Sequence, residues 1–432
     1  MRQIGVGLAG MGNVGAGVYK HLVKNHVLLM ERLGLELVVK KIAVRDPAKP
    51  RTVSAPKELL TDRLDDLIDD PSIQVLVELI GGVDDALKLI LRAIERGKIV
   101  VTGNKALLAE HGREIFAAAT KAKVPVFFEA AAAGGVPIIK SIREAFIGNH
   151  IESIHGIING TSNYILTRMT EGGLGFKEAL REAQEGGYAE ADPTLDVNGW
   201  DAAHKAIILA SLAYGFWVST DQIYVEGIEQ ITAADICFAR ELGYRIKLLA
   251  VIKADEKNGI EVRVHPTLIP QSHVLASVNG VFNAVAVRGD VVGDTLFYGR
   301  GAGQDPTSSA VISDLAEAAM AIETPRRGYG FTPHGLYGAC KSIDTVESQY
   351  YLRISVDDKP GVLAQVAGIL GENQIGISSV IQPETHEESD VPLVLMIHDA
   401  TNAQMQKALA SIASLSCVKK PPRMIRVETF GK

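Results

Sequence analysis

Cysteine is scarce in this chain: three in 432 residues, Cys237, Cys340 and Cys417. They lie far apart and form no C-x-x-C pair. That spacing excludes a disulfide framework and a zinc site of the usual kind, and it fits a reducing cytoplasm. Long apolar runs are also missing. No stretch of about 18 apolar residues occurs, so no membrane span is expected. There is no basic block and no interleaving of aromatic with basic residues, and the net charge is −7. A nucleic-acid surface is therefore not expected. The opening "MRQIGVGLAGMG" enters a strand pattern at once and lacks the regions of a signal peptide. No internal repeat or low-complexity tract stands out.

What is present is enough apolar matter, 47% of the residues, for two or three domains with proper cores. Ile4, Val6 and Leu8 alternate at strand period, Gly10, Gly12 and Gly15 follow as G-x-G-x-x-G, and Val14, Val18, Leu22 and Val27 then recur at helical spacing. A strand, a glycine turn and a helix are the setting that the dinucleotide fingerprint needs. Gly10 permits the tight turn, Gly12 lets the backbone approach a pyrophosphate, and Gly15 lets the helix close on the strand. The free N–H groups of the helix start face the anion.

The second strand, roughly Leu35–Val44, ends in "VRD". An acid at that tip would bond a ribose 2′-hydroxyl, whereas an arginine accepts a 2′-phosphate. Arg45 precedes Asp46, which supports NADP and leaves NAD open. Strand and helix patterns continue to alternate through "VLVELIGG", "IVVTGNK" and "VPVFFEA", which predicts a parallel sheet with its ligand side at the strand C-termini. Lys105 and Glu129 fall at those ends.

After Gly134 and Gly135 the pattern changes. "VPIIKSIREAF" reads as a helix entered through Pro137, and "IESIHGIINGTSNYILTRM" as a strand, a polar loop and a helix. The run 186–198 carries Glu190, Asp192 and Asp196, and feeds "GWDAAHKAIILA", an apolar helix with Asn198 as its expected N-cap. Asp201 and Lys205 stand four apart on one face of that helix. On a surface such a pair contributes only about 0.3–0.5 kcal/mol. If the face lines a cleft, the carboxylate holds the amine in place, and Lys205 becomes a candidate acid/base. "FYGRGAGQDPTSSAV" is a second glycine-rich turn, before a helix capped near Thr307 that is expected to pack back on the first domain. Residues 323–348, with Pro325 and Pro333, read as a linker. From 350 on, the pattern is β-α-β-β-α-β, a ferredoxin-like order.

The segments "TGNKALLAEHG", "FEAAAAGGVPIIKSIRE", "GIINGTSNYILTRM", "GYAEADPTLDVNGWDAAHKAIILA", "GRGAGQDPTSSAV" and "DDKPGVLAQVAGIL" together resemble homoserine dehydrogenases that carry a C-terminal ACT domain, over essentially the whole chain. The resemblance implies a mixed α/β and α+β architecture. A Rossmann-type NAD(P)-binding domain would span 1–134 plus 305–340, an α+β catalytic and dimerisation domain 135–304, and a ferredoxin-like ACT regulatory domain 350–432. It implies Lys205 as acid/base, with Glu190 and Asp201 as homoserine-contacting carboxylates. Lys105 would be a second active-site lysine at the nicotinamide. Glu129 would be the side-chain ligand of a monovalent cation, usually sodium, completed by the carbonyls of Ala132, Gly134 and Val136. Gly187, Gly303, Asn13, Val14 and Arg45 would touch the cofactor. Threonine is the expected effector of the ACT domain, and a homodimer or homotetramer the expected assembly. Two other readings are weighed. Aspartate-semialdehyde dehydrogenase needs a nucleophilic cysteine, but Cys237 lies in an apolar stretch that reads as core, and Cys340 and Cys417 fall outside the expected catalytic part. A non-catalytic sensor of nucleotides and amino acids would not need the dense polar content of 186–205.

Overall fold

The computed structural model describes residues 1–255, 259–324, 330–383 and 390–430. Residues 325–329 of the expected linker, Pro325 among them, lie outside the described residues. Two sheets organise the chain. The first is built from β1 (Gln3–Ala9), β2 (Glu36–Ala43), β3 (Leu60–Thr61), β4 (Val75–Glu78), β5 (Ile99–Thr102) and β6 (Val126–Phe127), in the order β3-β2-β1-β4-β5-β6. Every pairing in it is parallel. β4 and β5 are buried along their whole length, as strands covered on both faces must be. The order reverses between β1 and β4, and such a switch point opens a crevice at the strand C-termini.

The helix Asn13–Lys24 follows the glycine turn. Its apolar stripe ends at Leu22, because Asn25 breaks the helix; Val27 is the second residue of a separate helix, His26–Leu33, and is exposed. The helix Gln304–Glu323 packs against Asn13–Lys24 so closely that a Cβ on Gly17 would lie 2.3 Å from Ser308 Oγ. Val311 and Leu315 share a core with Leu8 and Val18. This helix starts at Gln304, not near Thr307: Gly303, at φ +117°, ends the turn, and the Thr307 N–H already donates to the Gly303 carbonyl inside the first turn.

The second sheet collects β7 (Ile151–Ile157), β8 (Tyr224–Val225), β9 (Tyr244–Asp255), β10 (Gly259–Pro270), β11 (Phe282–Gly289), β12 (Gly293–Arg300), β13 (Glu347–Val356), β14 (Ile377–Ile381), β15 (Val391–Thr401) and β16 (Val418–Val427). Its order is β12-β11-β7-β9-β10-β16-β13-β15-β14, with β8 also on β10. The last four strands and the helices Val362–Glu372 and Asn402–Ala413 form the ferredoxin-like module around Leu352, Ile354, Val366 and Met405. That module is not a separate layer. β16 pairs in parallel with β10 and continues the catalytic sheet.

The helix Trp200–Tyr214 is buried at every residue from Asp201 to Ser211. Its N-cap is Gly199 in left-handed backbone, φ +90°, rather than Asn198. Asn198 stands one place further out and accepts the Trp200 N–H at 3.1 Å. "VPIIKSIREAF" forms a short helix, Ile138–Lys140, that widens into a π turn over Ser141–Ala145. Among the described residues no helix is long and apolar enough to cross a membrane.

Candidate active site

The glycine turn after β1 borders a crevice of about 530 Å³, reached also by Arg45, Lys49 and Gly81. Each glycine of the motif has its own reason. Gly10 has φ +99°, and a Cβ there would lie 2.5 Å from the Leu79 carbonyl oxygen. A Cβ on Gly15 would lie 2.2 Å from the Gly10 carbonyl oxygen, so only glycine lets the helix close on the strand. Gly12 faces open space. A bare backbone turned outward at a helix start fits a dinucleotide's pyrophosphate. Asn13 and Val14 begin that helix, and Gln304 Nε2 donates to the Asn13 carbonyl and to its Oδ1 at 2.9 and 3.1 Å. Arg45 is exposed at the rim. Asp46 lines the same crevice, and its Oδ1 accepts the Ala48 N–H at 2.9 Å.

The acid–amine pair lies in the second half of the molecule. Lys205 Nζ donates to Asp201 Oδ2 at 2.7 Å and to the Ile158 carbonyl at 2.7 Å. Lys105 comes from the first helical position after β5, on the nucleotide-binding side, and its Nζ is 3.2 Å from Asp201 Oδ1. Asn159 Nδ2 donates to Asp201 Oδ2 at 2.7 Å and to Asp196 Oδ1 at 2.6 Å, while its Oδ1 caps the next helix by accepting the Ser162 N–H. Burial alone would raise the Asp201 carboxyl. The charges of Lys205 and then Lys105 outweigh burial and hold it well below the usual carboxylate range. Asp196, also largely buried, is pushed up by that burial and by the Asp201 charge.

Asn159 and Asp196 are the members of this cluster to which the sequence reading gave no role. Asn159 stands in "NGTS", an N-cap pattern, and its second duty toward Asp201 depends on a residue 42 positions away. Glu190 is exposed on the loop before the helix, and Gln184 Nε2 donates to its carbonyl at 3.2 Å. Among the described residues no ion pair joins its carboxylate to either lysine. Gly187, at φ +70°, lies in the same loop. Gly303 ends the second glycine turn.

Glu129 follows β6 and is 2% exposed. Its carboxylate oxygens accept the Ile139 and Lys140 N–H groups at 3.1 and 2.8 Å, and its own N–H donates to Asp314 Oδ2 at 2.7 Å. Burial pushes Glu129 up to about 7, against those two N–H groups. It pushes Asp314 well above the carboxylate range, with the Glu129 charge adding to it. Two buried acids, linked through the Glu129 N–H and Asp314 Oδ2, fit a cation held by one carboxylate and nearby carbonyls. Ala132, Gly134 and Val136 lie on the tight turn that follows, where a Cβ on Gly134 would meet the Gly301 carbonyl oxygen at 2.6 Å. The Val136 carbonyl also accepts the Ile138 N–H. Among the described residues no group of three or more His, Cys, Asp or Glu is placed to hold a metal ion; a site of one carboxylate and three carbonyls needs no such group.

The cysteines offer no nucleophile in this cluster. Cys237 is partly exposed rather than core, with its Sγ near Glu241. Burial pushes the Cys340 thiol up to about 11, away from the thiolate. Cys417 is buried in the C-terminal module.

Comparison with known proteins agrees over the full length. The homoserine dehydrogenase family model matches residues 137–316, that of the homoserine dehydrogenase NAD-binding domain residues 10–129, and that of the ACT domain residues 350–417. Homoserine dehydrogenase of Pseudomonas aeruginosa is 47% identical over 437 residues and that of Bacillus subtilis 38% over 432, each covering 100% of both chains. The crystal structure of a homoserine dehydrogenase from Thiobacillus denitrificans superposes with a TM-score of 0.94 at 44% identity, covering 100% of this chain and 99% of that one. The chain belongs to the homoserine dehydrogenase family.

Proposed function

We propose that Lys205 is the proton donor and acceptor of this enzyme. The reaction is that of a homoserine dehydrogenase: L-homoserine and NAD(P)⁺ interconvert with L-aspartate 4-semialdehyde and NAD(P)H. The nicotinamide, when bound, supplies or takes the hydride, so the protein has one proton to manage. One observation carries the reading. An ammonium has three N–H donors; Lys205 spends two on Asp201 and Ile158, and one remains for a substrate oxygen. In the reducing direction Lys205 gives its proton to the forming alkoxide, and its charge stabilises that oxygen in the transition state. In the oxidising direction Lys205 acts as the neutral amine, having first given its proton up to water, and takes the hydroxyl proton.

Asp201 orients Lys205, and its Oδ1, held by Lys105 at 3.2 Å, has a lone pair to spare for the substrate ammonium. Glu190, on the loop before this helix, is the second carboxylate for that ammonium in this reading. Lys105 stands at the nicotinamide. Gly10, Gly12, Asn13, Val14 and Gly15, with Gly187 and Gly303, hold the cofactor.

NADP is the preferred cofactor in this reading. Arg45 and Lys49 line the crevice together with Asp46, whose Oδ1 is already taken by the Ala48 N–H. The solved structure of a hyperthermophilic archaeal homoserine dehydrogenase, 25% identical over 74% of this chain with a TM-score of 0.62, is described as a complex with NADPH. Glu129 and the carbonyls of Ala132, Gly134 and Val136 take sodium. The domains are 1–134 with 305–340, 135–304 and 350–432. The ACT module binds threonine in a homodimer or homotetramer, and the unpaired cysteines suit the cytoplasm. The test is homoserine oxidation with NAD against NADP, with and without threonine, in wild type and Lys205→Ala. Turnover retained in that variant removes Lys205 from the mechanism, and equal use of both cofactors removes the Arg45 argument.

A further inference from the structure

The C-terminal module is tied to the catalytic half by side chains that the reaction does not use. β8 and β16 lie end to end along one edge of β10. Tyr224 and Val225 pair with Arg263 and Val264, and Arg426 and Val427 pair with Thr267 and Leu268. Glu226, the residue after β8, sits where they meet. Its Oε1 is 3.0 Å from Arg423 Nη2, and its Oε2 accepts from Arg426 Nη1 at 3.5 Å and from the Tyr224 hydroxyl at 3.1 Å. Arg426 is 1% exposed. It lies over the Tyr224 ring and donates to Asn402 Oδ1 at 2.6 Å, at the start of a helix of the module.

The backbone around Glu226 reaches the substrate helix. The Glu226 N–H donates to the Val264 carbonyl and the Ile228 N–H to the Val197 carbonyl, both at 2.8 Å. Gly227 is pressed so close that a Cβ would lie 2.3 Å from the Val197 carbonyl oxygen, and a Cβ on Gly199 would lie 3.2 Å from that of Glu226. Residues 197–199 are the turn that starts the helix carrying Asp201 and Lys205. Contacts thus run without a break from Arg426 in the module to the turn that aims the acid–amine pair.

We propose that Glu226 is a positioning residue for homoserine. Gripped by Arg423 and Arg426, it fixes the 197–199 turn and makes the C-terminal module part of the support of the substrate site. This rests on the reading of Asp201 and Lys205 given above. Removing the Glu226 charge leaves Arg426 buried without its counter-charge, so the junction must readjust. The glycine turn and Arg45 belong to the other sheet, so the effect falls on homoserine far more than on the cofactor.

The test is steady-state kinetics of the full-length Glu226→Gln variant, with hydrogen exchange of the amides of residues 200–205. The expected result is a homoserine KM raised about tenfold, an NADP⁺ KM changed by less than about twofold and faster exchange at the helix start. Glu226→Asp should recover part of the loss. If Glu226→Gln does not fold, Arg423→Gln, at the more exposed of the two arginines, carries the same expectation. An unchanged homoserine KM in a folded variant overturns the proposal, and so does an equal rise of both KM values with a lowered Tm. Lys205→Met measured alongside separates the two claims. Turnover retained there removes the acid/base reading, whereas the Glu226 result is read from the homoserine KM alone.

Discussion

Asp201 and Lys205 are one helical turn apart in the chain and 2.7 Å apart in space, on a buried helix whose other buried residues are apolar save His204, Ser211 and Tyr214. The amine has the Ile158 carbonyl as its second partner, so it is fixed before any substrate arrives. Pre-set geometry of this kind is what proton transfer needs. Lys205→Ala is expected to lower kcat by about 10²- to 10⁴-fold. NADPH binding, followed by fluorescence titration, should stay within twofold or so of wild type, since the glycine turn is untouched. A variant that keeps a tenth or so of its kcat would contradict the assignment.

Asp201→Asn tests the other half of the pair. The Asp201 carboxyl is held below its ordinary range, because two lysine charges outweigh its burial. A native pKa below the unfolded one means that the unfolded chain binds more protons at acid pH. The stability contributed is therefore full above about pH 4 and drains away as pH falls toward the native value. At pH 7 the variant leaves Lys205 buried without a counter-charge, at a cost of about 3–5 kcal/mol. Urea titrations should show that gap at pH 7 and a smaller one at pH 3. A gap independent of pH would mean that Asp201 acts by packing alone.

The parts of this fold that repeat locally are the parts legible in the sequence. β1 and the glycine turn carry their own period, and the four-residue spacing of Asp201 and Lys205 is enough to put them on one face. The C-terminal strands and helices alternate in a recognisable order. Other features depend on partners far along the chain. Asn159 meets Asp201 across 42 residues, and the Glu129 N–H meets Asp314 across 185. The junction of β16 with β10 is a pairing of two residues on each strand, too short to leave a period. The N-caps fall at Gly199 and Gly303, one and four residues from the expected Asn198 and Thr307, because both glycines adopt positive φ and end the turns themselves.

Arg45 gives a prediction about cofactor choice. It is exposed at the rim of the crevice beside Lys49, and the neighbouring Asp46, which lines the same crevice, has one carboxylate oxygen taken by the Ala48 N–H. A hydrogen bond to a charged group contributes about 1.5–3 kcal/mol, so Arg45→Ala should raise the KM for NADPH by roughly tenfold to a hundredfold. The KM for NADH should barely move, since that cofactor lacks the 2′-phosphate. Parallel kinetics with both cofactors check this. Equal losses with both would place Arg45 at the pyrophosphate or in the loop's own structure.

The pair Glu129 and Asp314 gives the last prediction, on sodium. Burial raises Glu129 from 4.5 to about 7, and Asp314 moves in the same direction. An acid with a raised native pKa holds a proton that the unfolded chain has already released. Its stability is complete below the unfolded pKa and is lost as pH rises through about 7, a cost of about 3 kcal/mol for Glu129 in the absence of a counter-ion. A cation on the carboxylate replaces the proton and restores the difference. At pH 8, Tm should be higher in sodium chloride than in tetramethylammonium chloride at equal ionic strength. At pH 5.5 the two salts should nearly agree, because the proton then does the work of the ion. Glu129→Gln, which has no charge to compensate, should show no salt preference at either pH. Equal Tm values in the two salts at pH 8 for the wild type would mean that no sodium ion binds at Glu129, and that Glu129 and Asp314 meet their charge with protons alone.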